Sequence, residues 1–549
     1  GSDVTENLRR RRTQSLFFLT FVLLLVYMVL SVTFAGELSW FSSEIYDNED
    51  KLPLSAPTAK IAILNTTVVQ LNLHLLDEIH SNENAKDNFS KLTTIAPSKT
   101  TTQTDAEFTA DPSEVACRVP KMDPFDSSIK HLINDPEPVN CEVMFPTLFK
   151  FSDSCYPVSL MNSTVVPTDH EFLAILCEQL IPANASNTTE KNSNITKIVD
   201  MHAMVHLKAN VEERLKHIRD HENEDSVNVL VLGLDGVSHM NFLRTMPKSY
   251  SYLMEELGAV EMHGFNKIGD NTYPNVVAAL TSKNELEVNS TCKNDKAFDD
   301  CPFIWKTFSK HGYRTAFGED STWMGGFNYL TKGFIKPPTD YYLRPFGVAA
   351  EEHIAHHKEL NAKLCYGPRL SMQVLLDYTQ KFAFSMGNDK RYFQFIWSTS
   401  LTHDDLNYGR MGDQHLLSTL DWFHTEGYLN QTVLIFLSDH GLRWGDIIEY
   451  PQGQLEERIP FLFFVVPHWF KEKYARAYKN LQGNQDRLTT PYDLFETLRD
   501  LVTLQHITGE EIGFREADLE IAAELSSLPR GISQFLPIPL SRTCESAAY

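Results

Sequence analysis

Apolar residues recur along this chain in two rhythms, and between residues 227 and 504 the rhythms alternate. VNVLVLGLDG, YRTAFGED, RYFQFIWSTS, TVLIFLSDHG and PFLFFVV are short, nearly continuous apolar runs, which read as buried strands. Between them NFLRTMPKSYSYLMEELG, NVVAALTSK, FIWKTFSKHG, MQVLLDYTQKFAFSMG, HLLSTLDWFHTEGYL and TPYDLFETLRDLVTL carry helical spacing, with AVEMHGF as a further short strand. Strands apolar on both faces that alternate with helices predict a three-layer α/β/α sandwich around a mainly parallel sheet.

Before residue 227 the pattern changes. Arg9 to Arg12 precede an almost uninterrupted apolar run from Leu16 to Ala35, about the 20 residues that cross a bilayer as a helix. The expected layout is a basic cytoplasmic tail over 1–15, a signal-anchor over 16–36 and a flexible stalk over 37–115. A small disulfide-bearing module over 116–200, a helical connector over 201–226 and the α/β domain over 227–549 follow. This makes a single-pass type II membrane protein whose ectodomain faces the outside or the Golgi and ER lumen. The alternative is a cleaved signal peptide and secretion, since Thr33 and Ala35 offer small residues for cleavage.

Composition agrees with export. The N-x-S/T triplets at Asn65, Asn88, Asn162, Asn184, Asn187, Asn194, Asn289 and Asn430 predict a glycosylated surface. Eight cysteines without CxxC spacing read as disulfides rather than a zinc ribbon. Cys117, Cys141, Cys155 and Cys177 are expected to staple the 116–200 module, and Cys292 and Cys301 are close enough to pair. His202, His206 and His217 in the connector read as a packed or solvated helix face. With 42% hydrophobic residues the chain can bury a sizeable core, and a formal charge of -23 argues against nucleic-acid binding.

In a parallel sheet covered by helices, ligands bind beyond the C-terminal ends of the strands. The predicted strands end in Asp235, in Glu319 and Asp320, in His403, Asp404 and Asp405, and in Asp439 and His440, so carboxylates and imidazoles gather on one edge. Asp235, Asp439 and His440 offer the oxygen and nitrogen ligands of a zinc or manganese site. Thr272, just ahead of a helical segment, offers a hydroxyl that needs a metal or a base to become a nucleophile. Lys267, Lys283 and Asn284 lie close by and read as ordinary surface residues.

The order Asp235, Thr272, His403, then Asp439 with His440 resembles the alkaline-phosphatase superfamily over roughly Val227 to Leu504. More narrowly, MPKSYSYLMEELGAVEMHGFNKIGDNTYPN, LTHDDLN and SDHG resemble the domain of unknown function two-two-nine family of invertebrate ectoproteins. The resemblance implies an alkaline-phosphatase-like fold, with Asp235, Asp439 and His440 as metal ligands and Thr272 as a nucleophile that also touches the metal. It implies that His403 contacts the substrate phosphate or assists the leaving group. Asp404 is a candidate for a second metal or for substrate. Two-metal phosphodiesterases of the superfamily place an aspartate four residues before this histidine, where Thr399 stands here, so a single metal site is expected.

Sulfatases carry C-x-P-S-R at the nucleophile, whereas this chain reads Thr272, Tyr273, Pro274, Asn275 and Val276. Without the cysteine and arginine, formylglycine chemistry is disfavoured. The expected activity is therefore a metal-dependent phosphodiesterase or phosphoryl-group transferase outside the cytosol. Thr272 would attack a phosphodiester, on a lipid headgroup or a glycan, and water or an acceptor alcohol would release the phosphothreonine. The other class of function is a non-catalytic glycosylated ectodomain for recognition or adhesion. The intact Asp, Thr and Asp-His set favours the enzyme.

Overall fold

The computed structural model describes residues 120–139, 141, 170–180, 195–216, 218, 225–293, 297–356 and 360–548, with the backbone of strands at 58–64, 68–72, 156–159 and 163–167. Residues 57–549 cluster as one compact unit. The expected signal-anchor over 16–36 lies outside the described residues; among those described, no helix is long and apolar enough to cross a membrane.

The N-terminal half departs from the sequence expectation in three ways. First, the expected stalk contributes strands. β1 (Thr58–Leu64), β2 (Val68–Asn72), β3 (Tyr156–Ser159), β4 (Ser163–Pro167), β5 (Phe172–Leu180) and β6 (Ile195–Ala203) build an antiparallel sheet in the order β3-β1-β5-β6 and a separate β2-β4 pair. TAKIAIL and VVQLN are short apolar runs inside a polar stretch, and only long-range pairing with residues a hundred positions later satisfies their backbone groups. Second, the expected connector begins as strand. Met201, Ala203 and Val205 are buried at period two, and among the described residues the connector's helix is Ala209–Lys216. His202 pairs with Asp200 at 2.9 Å, which Arg369 also holds.

Third, Cys141 of the 116–200 module does not pair within it, while Cys117, Cys155 and the Cys177 side chain lie outside the described residues. The main domain contains β7 (Asn228–Leu234), β8 (Val260–Glu261), β9 (Arg314–Glu319) and β10 (Tyr341–Tyr342). A small hairpin sheet follows, made of β11 (Ala355–His356), β12 (Cys365–Tyr366) and β13 (Arg369–Leu370). Cys141 is bonded to Cys365 of β12, so the covalent link runs into the main domain. Cys292 and Cys301 pair as expected.

With β14 (Tyr392–Ser398), β15 (Thr432–Ser438) and β16 (Leu462–Val465), the main sheet has the order β10-β9-β14-β7-β15-β16-β8. All neighbours run parallel except β16, which is antiparallel to β15 and β8. Every residue of β7, β14 and β15 is buried. Val229 and Val231 face one core with the helices Thr272–Thr281 and Pro491–Val502. Leu230, Leu232 and Leu234 face the other, with Ser371–Met386 and Gly409–Thr425. Two cores on opposite faces make the three-layer sandwich that the alternating rhythm predicts.

Gly233 is required by packing, since a Cβ there would lie 2.0 Å from the Trp397 ring of the adjacent strand. The registers place Ser398, Leu234 and Ser438 side by side. Their successors Thr399, Asp235 and Asp439 therefore leave the sheet together at one edge.

Candidate active site

Each element delivers one component to that edge. After β7 the chain turns through Gly236 at a φ of 75°, a left-handed conformation that glycine adopts without steric cost. The Gly236 amide donates to Asp439 Oδ1 at 3.1 Å, and Thr402 Oγ1 donates to the Asp235 carbonyl at 2.6 Å. The Ser438 hydroxyl accepts the Val237 amide at 3.0 Å and donates to the His440 carbonyl at 3.1 Å, which fixes the turn carrying Asp439 and His440.

Thr272 opens the helix Thr272–Thr281, and Asn271 precedes it in extended conformation without a side-chain cap. Asn275 holds this loop. Its Oδ1 accepts the amides of Ile268 and Gly269 at 2.7 and 3.1 Å, and its Nδ2 donates to the carbonyls of Gly269 and Asn271, both at 2.9 Å. The first amides of the helix are thus left toward the edge, where a negative group is favoured.

The four residues meet. Thr272 Oγ1 lies 3.2 Å from both Asp235 oxygens and 3.5 Å from His440 Nε2. His440 Nε2 is 3.3 Å from Asp439 Oδ2 and 3.8 Å from Asp235 Oδ1. Asp235, Asp439 and His440 each present a ligand atom within 4.8 Å of the others, and all are buried. Two observations show that these residues fit a divalent cation. Asp439 Oδ2 is buried with no hydrogen-bond partner, which is costly for a carboxylate oxygen unless a cation faces it. His440 Nδ1 is 2.8 Å from the Gly441 carbonyl, so the ring donates there and turns the Nε2 lone pair toward the carboxylates. Burial, reinforced by the charge of Asp439, pushes Asp235 up to about 6.

His403 stands across from Thr272, against the Trp444 ring with centroids 4.5 Å apart. Its Nδ1 is bonded to Asp404 Oδ1 at 2.9 Å, leaving Nε2 for a ligand. Burial lowers the His403 pKa, but the Asp404 bond and the fields of Asp235 and Asp404 outweigh it and hold the imidazole above its ordinary value. Asp404 also accepts the Asn361 amide at 2.7 Å, Asn361 Nδ2 at 2.9 Å and the Ala362 amide at 3.3 Å. Its oxygens are thereby engaged by nitrogen donors, and it stands outside the Asp235, Asp439 and His440 group.

Thr272 and His403 open into a cavity of about 510 Å³ that Arg443 also lines. Arg443 stacks on Trp444, 4.8 Å from the ring centroid, and its Nε is buried without a partner. Sequence reasoning missed Arg443, Asn275 and Asn361. For Arg443 the available signal was its place three residues after His440 in the same loop. Lys267 is paired with Glu457 at 2.6 Å, and Asn284 caps the helix Glu285–Thr291, so neither faces the cavity chemistry. Asn289 and Asn430 are exposed, while the asparagines of the other six triplets lie outside the described residues.

No curated protein matches the chain. Among solved structures it is similar to the C-terminal periplasmic domain of EcEptC from Escherichia coli in complex with Zn, at 15% identity over 51% of this chain and 84% of that one, with a TM-score of 0.37. It is also similar to the lipoteichoic acid synthase LtaP from Listeria monocytogenes, at 13% identity over 47% and 71%, with a TM-score of 0.32. A protein in the alkaline phosphatase superfamily from Vibrio parahaemolyticus is similar at 12% identity over 54% and 76%, with a TM-score of 0.35. Residues 114–548, most of the chain, match the family described as "Protein of unknown function (DUF229)", and the chain belongs to that family.

Proposed function

We propose that this protein is a metal-dependent enzyme that cleaves or transfers phosphate esters through Thr272, working outside the cytosol. The observation that carries the reading is the unpartnered, buried Asp439 Oδ2 beside Asp235, His440 and the Thr272 hydroxyl at a helix start. Asp235, Asp439, His440 and Thr272 would hold one divalent cation, zinc or manganese, which when bound lowers the proton affinity of the Thr272 hydroxyl and offsets phosphoryl charge.

The chain's own groups then divide the work. The Thr272 proton leaves along its hydrogen bonds to the Asp235 carboxylate as Oγ1 bonds to phosphorus. His403, protonated and oriented by Asp404, gives the Nε2 proton to the departing ester oxygen as the P–O bond breaks. The helix-terminal amides after Asn271 and the Arg443 guanidinium face the remaining phosphoryl oxygens. Water or an acceptor alcohol then attacks the phosphothreonine, giving its proton to His403, while the P–Oγ1 bond breaks and Asp235 returns its proton to Thr272 Oγ1. Asp404 serves in this scheme as the positioning residue for His403. The two disulfides among the described residues agree with an oxidising compartment.

The test uses the full chain supplied with zinc or manganese and a panel of lipid-headgroup, glycan and nucleotide phosphodiesters. Thr272→Ala is expected to lower turnover by at least about 10³-fold, and mass spectrometry of the rapidly quenched wild type to find phosphate on Thr272. Turnover unchanged by Thr272→Ala would refute the mechanism. No turnover of any diester with either metal would favour the recognition-domain alternative.

A further inference from the structure

The cavity in front of Thr272 is much larger than a phosphoryl group needs, and one wall is aromatic. Trp323 and Tyr329 line it and remain 47% and 52% exposed, so that together they present an aromatic surface to the cavity. Trp323 is held in place. Trp323 Nε1 donates to the Asn361 carbonyl at 3.0 Å, so its hydrogen-bonding capacity is spent and the ring face is what it offers. Asn361 is the residue whose amide and side chain bind Asp404, the partner of His403. The aromatic wall is thus bonded, through one residue, to the group that orients the proposed acid.

The shape of the wall restricts its occupant. The two rings touch, with centroids 5.9 Å apart and planes at 57°. A flat base sandwiched between aromatic rings needs parallel faces about 7 Å apart, twice the usual contact distance of about 3.5 Å. The bent surface has no such slot and leaves a base one ring face at a time, whereas both rings together follow a puckered ring with apolar C–H faces and a polar rim. Asn271 and Glu285 line the same cavity and supply an amide and a carboxylate for hydroxyl groups. Met324 and Leu330 add apolar surface to the lining, but an acyl chain would leave Asn271 and Glu285 unmatched.

We infer that Trp323 and Tyr329 form the platform for a sugar ring that carries the phosphoryl group, making a hexose phosphodiester the substrate class. The inference rests on the Thr272 reading for the direction in which the phosphoryl group points. The sugar ring lies against Trp323 and Tyr329 while its phosphate reaches Thr272, Arg443 and His403.

Binding tests this without turnover. Glucose 6-phosphate, uridine monophosphate and inorganic phosphate are titrated by calorimetry into the zinc-loaded full chain. Glucose 6-phosphate is expected to bind about tenfold or more tightly than either of the others, a difference of roughly 1.4 kcal/mol, the scale of a good aromatic contact. Trp323→Ala should bring glucose 6-phosphate to the affinity of inorganic phosphate, and Trp323→Phe should keep most of the gain. Tyr329→Ala, at a half-exposed ring, reports on the platform if Trp323→Ala folds poorly, and should lose several-fold. Equal affinities, a preference for the nucleotide, a sugar gain that survives both alanine variants, or no binding of any probe would overturn the inference. A sugar gain without diester turnover would instead refute the phosphotransfer reading and leave the platform standing.

Discussion

Two acidic groups leave the same edge of the same sheet and meet opposite fates. At the end of β9, Asp320 is wholly enclosed, yet Ser398 Oγ and Ser400 Oγ donate to it at 2.7 and 2.6 Å and the Thr399 and Ser400 amides at 2.6 and 3.1 Å. At the ends of β7 and β15, Asp235 and Asp439 are equally enclosed, but one Asp439 oxygen has no donor at all. Glu319 lies between these cases. One of its oxygens accepts the Gly326 amide at 2.8 Å, the other is unpartnered, and burial pushes it up to about 8. Position at a strand end brings a carboxylate to the edge, and the supply of donors decides what it does there. A saturated carboxylate braces a loop; an unsaturated one is available to a cation.

The widest gap between the two groups should appear on removing Asp439. Asp439→Asn is expected to weaken zinc binding by more than about 100-fold, measured by calorimetry, because it removes a charged ligand. The metal-free protein should melt no lower than wild type, since the substitution replaces a buried carboxylate oxygen that lacks a hydrogen-bond partner. Unchanged zinc affinity would break the comparison outright.

Asp320→Ala should do the reverse. It strands buried donors on Ser398, Thr399 and Ser400, costing about 3–5 kcal/mol in denaturant unfolding, while the folded fraction still binds one equivalent of zinc. A loss below about 1 kcal/mol would mean the four bonds are not what holds this edge.

A smaller effect sharpens the intermediate case. The folded pKa of Glu319 lies above its ordinary value, so the folded state binds its proton more tightly than the unfolded chain does. Its contribution is complete in acid and is lost as pH rises through about 8. Wild type should lose about 2–3 kcal/mol between pH 6 and pH 8 from this group, and Glu319→Gln should remove that slope. Identical pH profiles for the two proteins would place the titration elsewhere.

What could be read from the chain alone was whatever local pattern encodes. The strands and helices of residues 227 to 504 follow from period and apolar run length, because a strand buried on both faces must be continuously apolar wherever it stands. Asp235, Thr272, Asp439 and His440 were legible for the same reason, each lying where an apolar run ends or a helix begins. Tertiary structure decided the rest, because pairing across long separations leaves no local trace. It drew TAKIAIL and VVQLN into sheets and joined Cys141 to Cys365. It also separated Asp320 from Asp439, two aspartates alike in sequence position. Their difference lies in donors from the loop after β14, which only the packed sheet brings to one carboxylate and withholds from the other.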